Sequence, residues 1–112
     1  MIEGIGTDVV DVRRIDMTLV DKILSDEEYG MFASFSSTRR KKEFLAGRFC
    51  LKEALIKALG LSGAKMMPEI VVLNDESGKP YLKCPRYDDK TVHISISHEK
   101  EIAVAFCVVE RK

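Results

Sequence analysis

Ile2, Ile5 and Val9 recur through positions 2–9, punctuated by Gly4 and Gly6, which predicts a strand whose backbone approaches a neighbour closely. Val12, Ile15, Leu19 and Ile23 then recur at spacings of three and four, so short helical structure is expected over residues 12–24, with Arg13 and Arg14 at its start. Ser25-Asp26-Glu27-Glu28 matches a capping box and predicts a helix running to about residue 35. Ser37-Thr38 opens a longer helix that Gly60 ends. At about 100° per residue, Phe44, Leu51, Leu55, Ala58 and Leu59 gather on one face of it. Glu53 and Lys57 fall nearly opposite, beside Ala46 and Cys50.

After a loop at residues 61–68 the period changes. Residues 69–74 and 80–84 predict a hairpin around Asp75-Glu76-Ser77-Gly78. Residues 92–97 alternate apolar with small polar side chains, as a half-buried strand does, and residues 101–109 form the most apolar strand, paired to it through a turn around His98-Glu99-Lys100. Helices come early and antiparallel strands late, with the N-terminal strand joining their sheet, so the class is α+β. No repeat or linker divides the chain, and residues 1–112 read as one domain.

A chain of 112 residues supports a single modest core and is short for enclosing a large substrate alone. Its 18 basic and 18 acidic residues cancel, which removes any global case for nucleic acid or a membrane surface. Met1-Ile2-Glu3-Gly4 does not open a signal peptide, and no apolar run approaches ~20 residues, so a soluble, cytoplasmic protein is expected. Cys50, Cys84 and Cys107 are widely spaced without C-x-x-C and read as reduced packing residues.

Two charge patterns stand out. Arg39, Arg40, Lys41 and Lys42 fill the first turn of the long helix, where the macrodipole favours anions; an anion site and a solvated basic face are equally good readings. Glu53 and Lys57 are either an exposed i, i+4 pair worth ~0.2–0.5 kcal/mol, or a metal ligand and an anion-neutralising cation facing one site. Taken alone, Asp8 is a strand-end or capping aspartate.

Three separated stretches together resemble one family, the holo-[acyl-carrier-protein] synthases, which are short single-domain 4'-phosphopantetheinyl transferases. The first is Gly4-Ile5-Gly6-Thr7-Asp8-Val9 with Arg14-Ile15. The second is Phe44-Leu45-Ala46-Gly47-Arg48-Phe49, then Lys52-Glu53-Ala54 and Lys57-Ala58. The third is Gly78-Lys79-Pro80 with His93-Ile94-Ser95-Ile96-Ser97-His98 downstream. The segment 60–68 is shorter than the family's usual one.

The resemblance implies a 4'-phosphopantetheinyl transferase-like fold, an antiparallel sheet packed against a long helix, in a homotrimer with sites between subunits. It implies a magnesium-dependent transfer of 4'-phosphopantetheine from coenzyme A to a serine of apo acyl carrier protein, releasing 3',5'-ADP. Asp8 and Glu53 are then the Mg2+ ligands, and Lys57 contacts the leaving phosphate as a candidate proton donor. The base is Glu53 or a metal-bound water. Arg48, Lys52, Lys57, Lys79, Pro80 and His98 become coenzyme contacts, and Arg13 and Arg14 a docking surface for the acidic carrier, with Arg14 the better match. By strand parity His93 points away from His98 and reads as structural. The rival readings are a non-catalytic coenzyme A or nucleotide-binding module of the same fold and a plain interaction domain.

Overall fold

In the computed structural model, which describes residues 1–62 and 64–112, the chain runs β1 (Ile2–Asp11), α1 (Val20–Ile23), α2 (Asp26–Ser34), α3 (Thr38–Leu59), β2 (Val72–Asn74), β3 (Pro80–Leu82), β4 (Lys90–Glu99) and β5 (Ile102–Arg111). β1, β5 and β4 form an antiparallel sheet in that order, and β2 pairs with β3. The class is α+β, as expected, and the apolar β5 takes the central place. Its alternation decides which face is inside: Ala103, Ala105, Cys107 and Val109 are buried toward α3, while Ile102, Val104 and Phe106 are exposed.

Helix α3 has Ser37 as N-cap, its side chain accepting from Arg40 N, and Gly60 as a left-handed C-cap at φ 69°. Its seat on the sheet depends on two glycines. A Cβ on Gly4 would lie 1.8 Å from the Ala58 carbonyl oxygen, and one on Gly6 1.9 Å from that of Ala54. The helix side of this contact is correspondingly small: Ala46, Cys50 and Ala54 are all fully buried. Cys50 is the packing residue that the cysteine spacing suggests, and Ala46 is buried with it although both lie off the main apolar stripe, because α3 is covered on two sides and the small residues form the ridge against the sheet. On its other side Leu45 packs with Ile23, Leu24, Phe32 and Met67 in a second cluster.

Several boundaries differ for local reasons. Residues 12–24 form two 3-10 turns, Val12–Arg14 and Met17–Leu19, before the single-turn α1. Asp11 and Asp16 each accept from the backbone N–H two residues on, which breaks the segment into short pieces. The predicted helix after Ser25 is α2, and both halves of its capping box are present. Within the expected loop, Ala64–Glu69 is a 3-10 segment, and Gly63 lies outside the described residues. The β2–β3 hairpin is shorter than predicted, with Gly78 at φ 88° in its turn. β4 runs further than predicted: His98 pairs with Ala103 and Glu99 with Ile102, and the turn is Lys100-Glu101, with Lys100 at φ 54°.

Burial raises the thiol of Cys50 to about 12, with the nearby Asp8 charge adding to the effect, and raises that of Cys107 to about 12. Thiolate is the nucleophile, so at pH 8 iodoacetamide is expected to modify Cys84 in the folded protein and to reach the buried Cys50 and Cys107 only after denaturation. Peptide mass mapping of alkylated protein checks this; native labelling of Cys50 would contradict it.

Candidate functional site

The close packing of β1 on α3 brings chemistry-bearing residues together. Cys50 Sγ donates to the Asp8 carbonyl at 3.3 Å, and about two turns further along the same side of the helix Lys57 Nζ donates to the Thr7 carbonyl at 3.0 Å and to Asp8 Oδ1 at 3.4 Å. Glu53 is three residues after Cys50 and four before Lys57, so it occupies the helix face between the two points that Asp8 touches. Among the described residues Glu53 makes no side-chain hydrogen bond or ion pair, and it is half-buried. The i, i+4 ion pair that its spacing from Lys57 suggests is therefore absent there; Lys57 instead pairs with Asp8 across the strand–helix contact. What results is one cation and two carboxylates, with the Lys57 side chain half-exposed to solvent.

His98 stands on the same strand face as Ile94 and Ile96, and His93 on the other, where its Nε2 lies 3.0 Å from Glu110 Oε2. A Cβ on Gly47 would meet His98 Nε2 at 3.0 Å, so this glycine admits the imidazole against α3. There His98 shares a cleft of about 350 Å³ with Phe35, Arg40, Glu43 and Phe44. The four cations opening α3 separate accordingly. Arg39 pairs with Glu43 at 3.7 Å, Lys41 sits over Phe32, and Lys42 donates to the Arg13 carbonyl at 3.1 Å. Arg40, its guanidinium 4.7 Å above the Phe35 ring, is the one that enters the cleft with His98. The sequence marks the cluster but not this member, since the choice depends on where β4 ends.

Lys52 and Arg48 are not where their amphipathic character suggests. Lys52 is fully buried, and its ammonium donates to Ile23 O at 2.6 Å, Glu28 Oε1 at 2.6 Å and Met67 O at 2.8 Å. All three of its hydrogens are used within the protein. A coenzyme contact from Lys52 is corrected on that ground: its partners come from three other segments and enclose it. Arg48, 5% exposed, donates through Nη2 to Asn74 Oδ1 at 2.6 Å and stands with Nε 3.2 Å from Glu28 Oε2, an ion pair without hydrogen-bond alignment. Burial lowers the proton affinity of both cations against the opposing pull of Glu28.

Lys79 is exposed in the β2–β3 turn and Pro80 begins β3; among the described residues neither bonds to Asp8, Glu53 or Lys57. Arg13 is held by Asp11 at 2.8 Å and Glu101 at 3.1 Å, whereas Arg14 is exposed and without an ion pair among the described residues. No group of three His, Cys, Asp or Glu suited to a metal occurs among the described residues, and no helix there is long and apolar enough to cross a membrane.

Residues 4–107 match the family described as the 4'-phosphopantetheinyl transferase superfamily. Over 119 aligned positions the chain is 45% identical to a holo-[acyl-carrier-protein] synthase of Petrotoga mobilis, covering 97% of each chain. It is also 45% identical to one of Bacillus velezensis, covering 99% of this chain and 98% of the relative. A crystal structure of a holo-(acyl-carrier-protein) synthase from Bacillus anthracis in complex with CoA (3',5'-ADP) superposes with a TM-score of 0.88 at 40% identity, over 100% of this chain and 99% of that one. The Helicobacter pylori holo-[acyl-carrier-protein] synthase in complex with coenzyme A does so at 0.77 and 28% identity, over 95% and 99%.

Proposed function

This chain belongs to the 4'-phosphopantetheinyl transferase superfamily, and from that premise we propose that it transfers the 4'-phosphopantetheine arm of coenzyme A to a serine of apo acyl carrier protein, giving holo carrier and 3',5'-ADP. The observation carrying this reading is the β1–α3 contact, where Asp8 meets Lys57 with Glu53 between its two anchor points.

The serine oxygen bonds to the β-phosphorus as the bond from that phosphorus to the bridging oxygen of 3',5'-ADP breaks. Such a reaction needs alignment and charge stabilisation more than covalent help. Glu53, uncommitted among the described residues, takes the serine proton. Lys57 Nζ, anchored on the Thr7 carbonyl, faces the leaving phosphate and supplies it with a proton or a hydrogen bond. Asp8 and Glu53 are hard oxygen ligands from two elements, a donor set that fits Mg2+, which binds through one or two carboxylates with substrate phosphates and waters. When bound, the ion neutralises charge on the pyrophosphate. Arg40 and His98 offer their cleft to an anionic group of coenzyme A, with Lys79 and Pro80 contacting it from the hairpin.

Arg14 docks the acidic carrier, while Arg13 is already neutralised by Asp11 and Glu101 and shapes the turn. Arg14→Glu is expected to raise the carrier KM at least about tenfold at low salt, converging with wild type as salt screens the charge, and to leave the coenzyme A KM within twofold. Equal effects on both substrates would remove Arg14 from the docking surface.

The exposed sheet face carries Ile5, Val9, Ile102, Val104 and Phe106, between 42% and 63% exposed. An apolar face of this kind favours association, and it supports a homotrimer sharing its sites between subunits. Light scattering at micromolar concentration is expected to give three times the chain mass; a fully active monomer contradicts it. The chain acts as one cytoplasmic domain. Mass spectrometry of apo carrier incubated with the protein, coenzyme A and magnesium tests the whole reading: the phosphopantetheine mass appears on the carrier, and its absence leaves only a binding module.

A further inference from the structure

The capping residue Glu28 has a second employment. Its carboxylate is fully buried and receives Ser25 N at 2.9 Å, Lys52 Nζ at 2.6 Å and Val72 N at 3.2 Å, with the Arg48 guanidinium beside it. A buried ionic cluster of this kind is fixed in geometry, because each member lacks solvent as an alternative partner. From it one arm leaves. Arg48 Nη2 donates to Asn74 Oδ1, and the Asn74 amide donates through Nδ2 to the Gly78 carbonyl at 3.0 Å. Gly78 is the residue before Lys79. The opposite face of the turn is fastened by Asp75 Oδ1, which accepts from Ser77 N and Lys79 N, each at 2.9 Å.

We propose that Asn74 is a positioning residue for coenzyme binding: it transmits the rigid Glu28–Arg48 geometry to the Gly78-Lys79-Pro80 turn and so sets where Lys79 meets its ligand. This rests on the reading that Lys79 contacts coenzyme A. Asn74 itself is exposed at the end of β2, so its replacement does not open the core. Without its two hydrogen bonds the turn keeps the Asp75 clasp but loses its tie to α3. Lys79 then samples more orientations, and ordering it on binding costs more.

The test is equilibrium binding of coenzyme A, without carrier protein, to Asn74→Ala, Lys79→Ala and the double variant, with the KM values and kcat measured alongside. Asn74→Ala is expected to weaken coenzyme binding about three- to tenfold, the scale of one or two hydrogen bonds, while kcat and the carrier KM stay within twofold. The double variant binds no more weakly than Lys79→Ala, since Asn74 acts through that side chain. Unchanged coenzyme affinity in Asn74→Ala overturns the proposal, and the Lys79→Ala result then separates the cases. A loss there keeps Lys79 as a coenzyme contact, whereas no loss removes that contact too. Fully additive losses, or an equal rise in the carrier KM, also overturn it.

Discussion

Glu53→Gln is expected to lower kcat by about 10²–10³-fold, the scale of losing one group that stabilises transition-state charge, with the melting temperature almost unmoved. Stability is spared because the Glu53 side chain makes no hydrogen bond or ion pair among the described residues. Turnover is not, because the amide is neutral, a poor proton acceptor and a weaker ligand for a hard cation. Raising magnesium therefore recovers only part of the rate. Lys57→Ala separates the two roles on this face. Its pair with Asp8 is long, at 3.4 Å, and half-exposed, so the stability change stays below ~1 kcal/mol. On the proposed role of Lys57 opposite the leaving phosphate, its magnesium requirement stays near wild type while kcat falls, because positive charge is what the variant loses. Magnesium titrations of kcat with parallel thermal melts decide the matter. Near-normal kcat in both variants, at unchanged folding, would end the catalytic reading of α3.

Gly6→Ala is expected to destabilise the protein by about 3 kcal/mol or more, beyond ordinary overpacking. The added carbon would sit 1.9 Å from the Ala54 carbonyl oxygen, and that oxygen belongs to helix backbone, which cannot swing aside as a side chain does. Relief requires β1 and α3 to part. That separation also loosens the Cys50–Asp8 contact and the Lys57 anchor, so activity falls with stability. Gly30→Ala in α2 is the control: nothing lies within 4 Å of its added carbon, so it is expected to stabilise by about 0.5–1 kcal/mol through helix propensity. Urea midpoints of the two variants should move in opposite directions. A Gly6→Ala midpoint matching wild type would mean that the strand–helix contact is softer than its geometry requires.

Features read correctly from the sequence share a physical character: each is decided within a few residues. Ser25 with Glu28, Ser37 and Gly60 bound α2 and α3 through hydrogen bonds to nearby backbone, and the alternation at residues 92–97 separates the faces of β4 by the pleat alone. The ordered motifs identified the family, and the full-length relatives bear that out. The β1 glycines announced a close approach, although not to which atoms.

Lys52 shows what such reading misses. One turn from Arg48 it has the spacing of a surface cation, yet it is enclosed by Glu28, Ile23 and Met67. Burying an ammonium is tolerable only where partners offset the lost water, and these partners lie 15 to 29 residues away along the chain. The same holds for the pairing of Lys57 with Asp8 rather than Glu53, and for the choice of Arg40 among four neighbouring cations. By itself the sequence determined where α2 and α3 begin and end, which strand is the most apolar and which family's chemistry to look for. The tertiary structure alone decided which charges are enclosed by partners and which stay open to solvent, because desolvation and ion pairing depend on groups that only folding brings within a few ångströms.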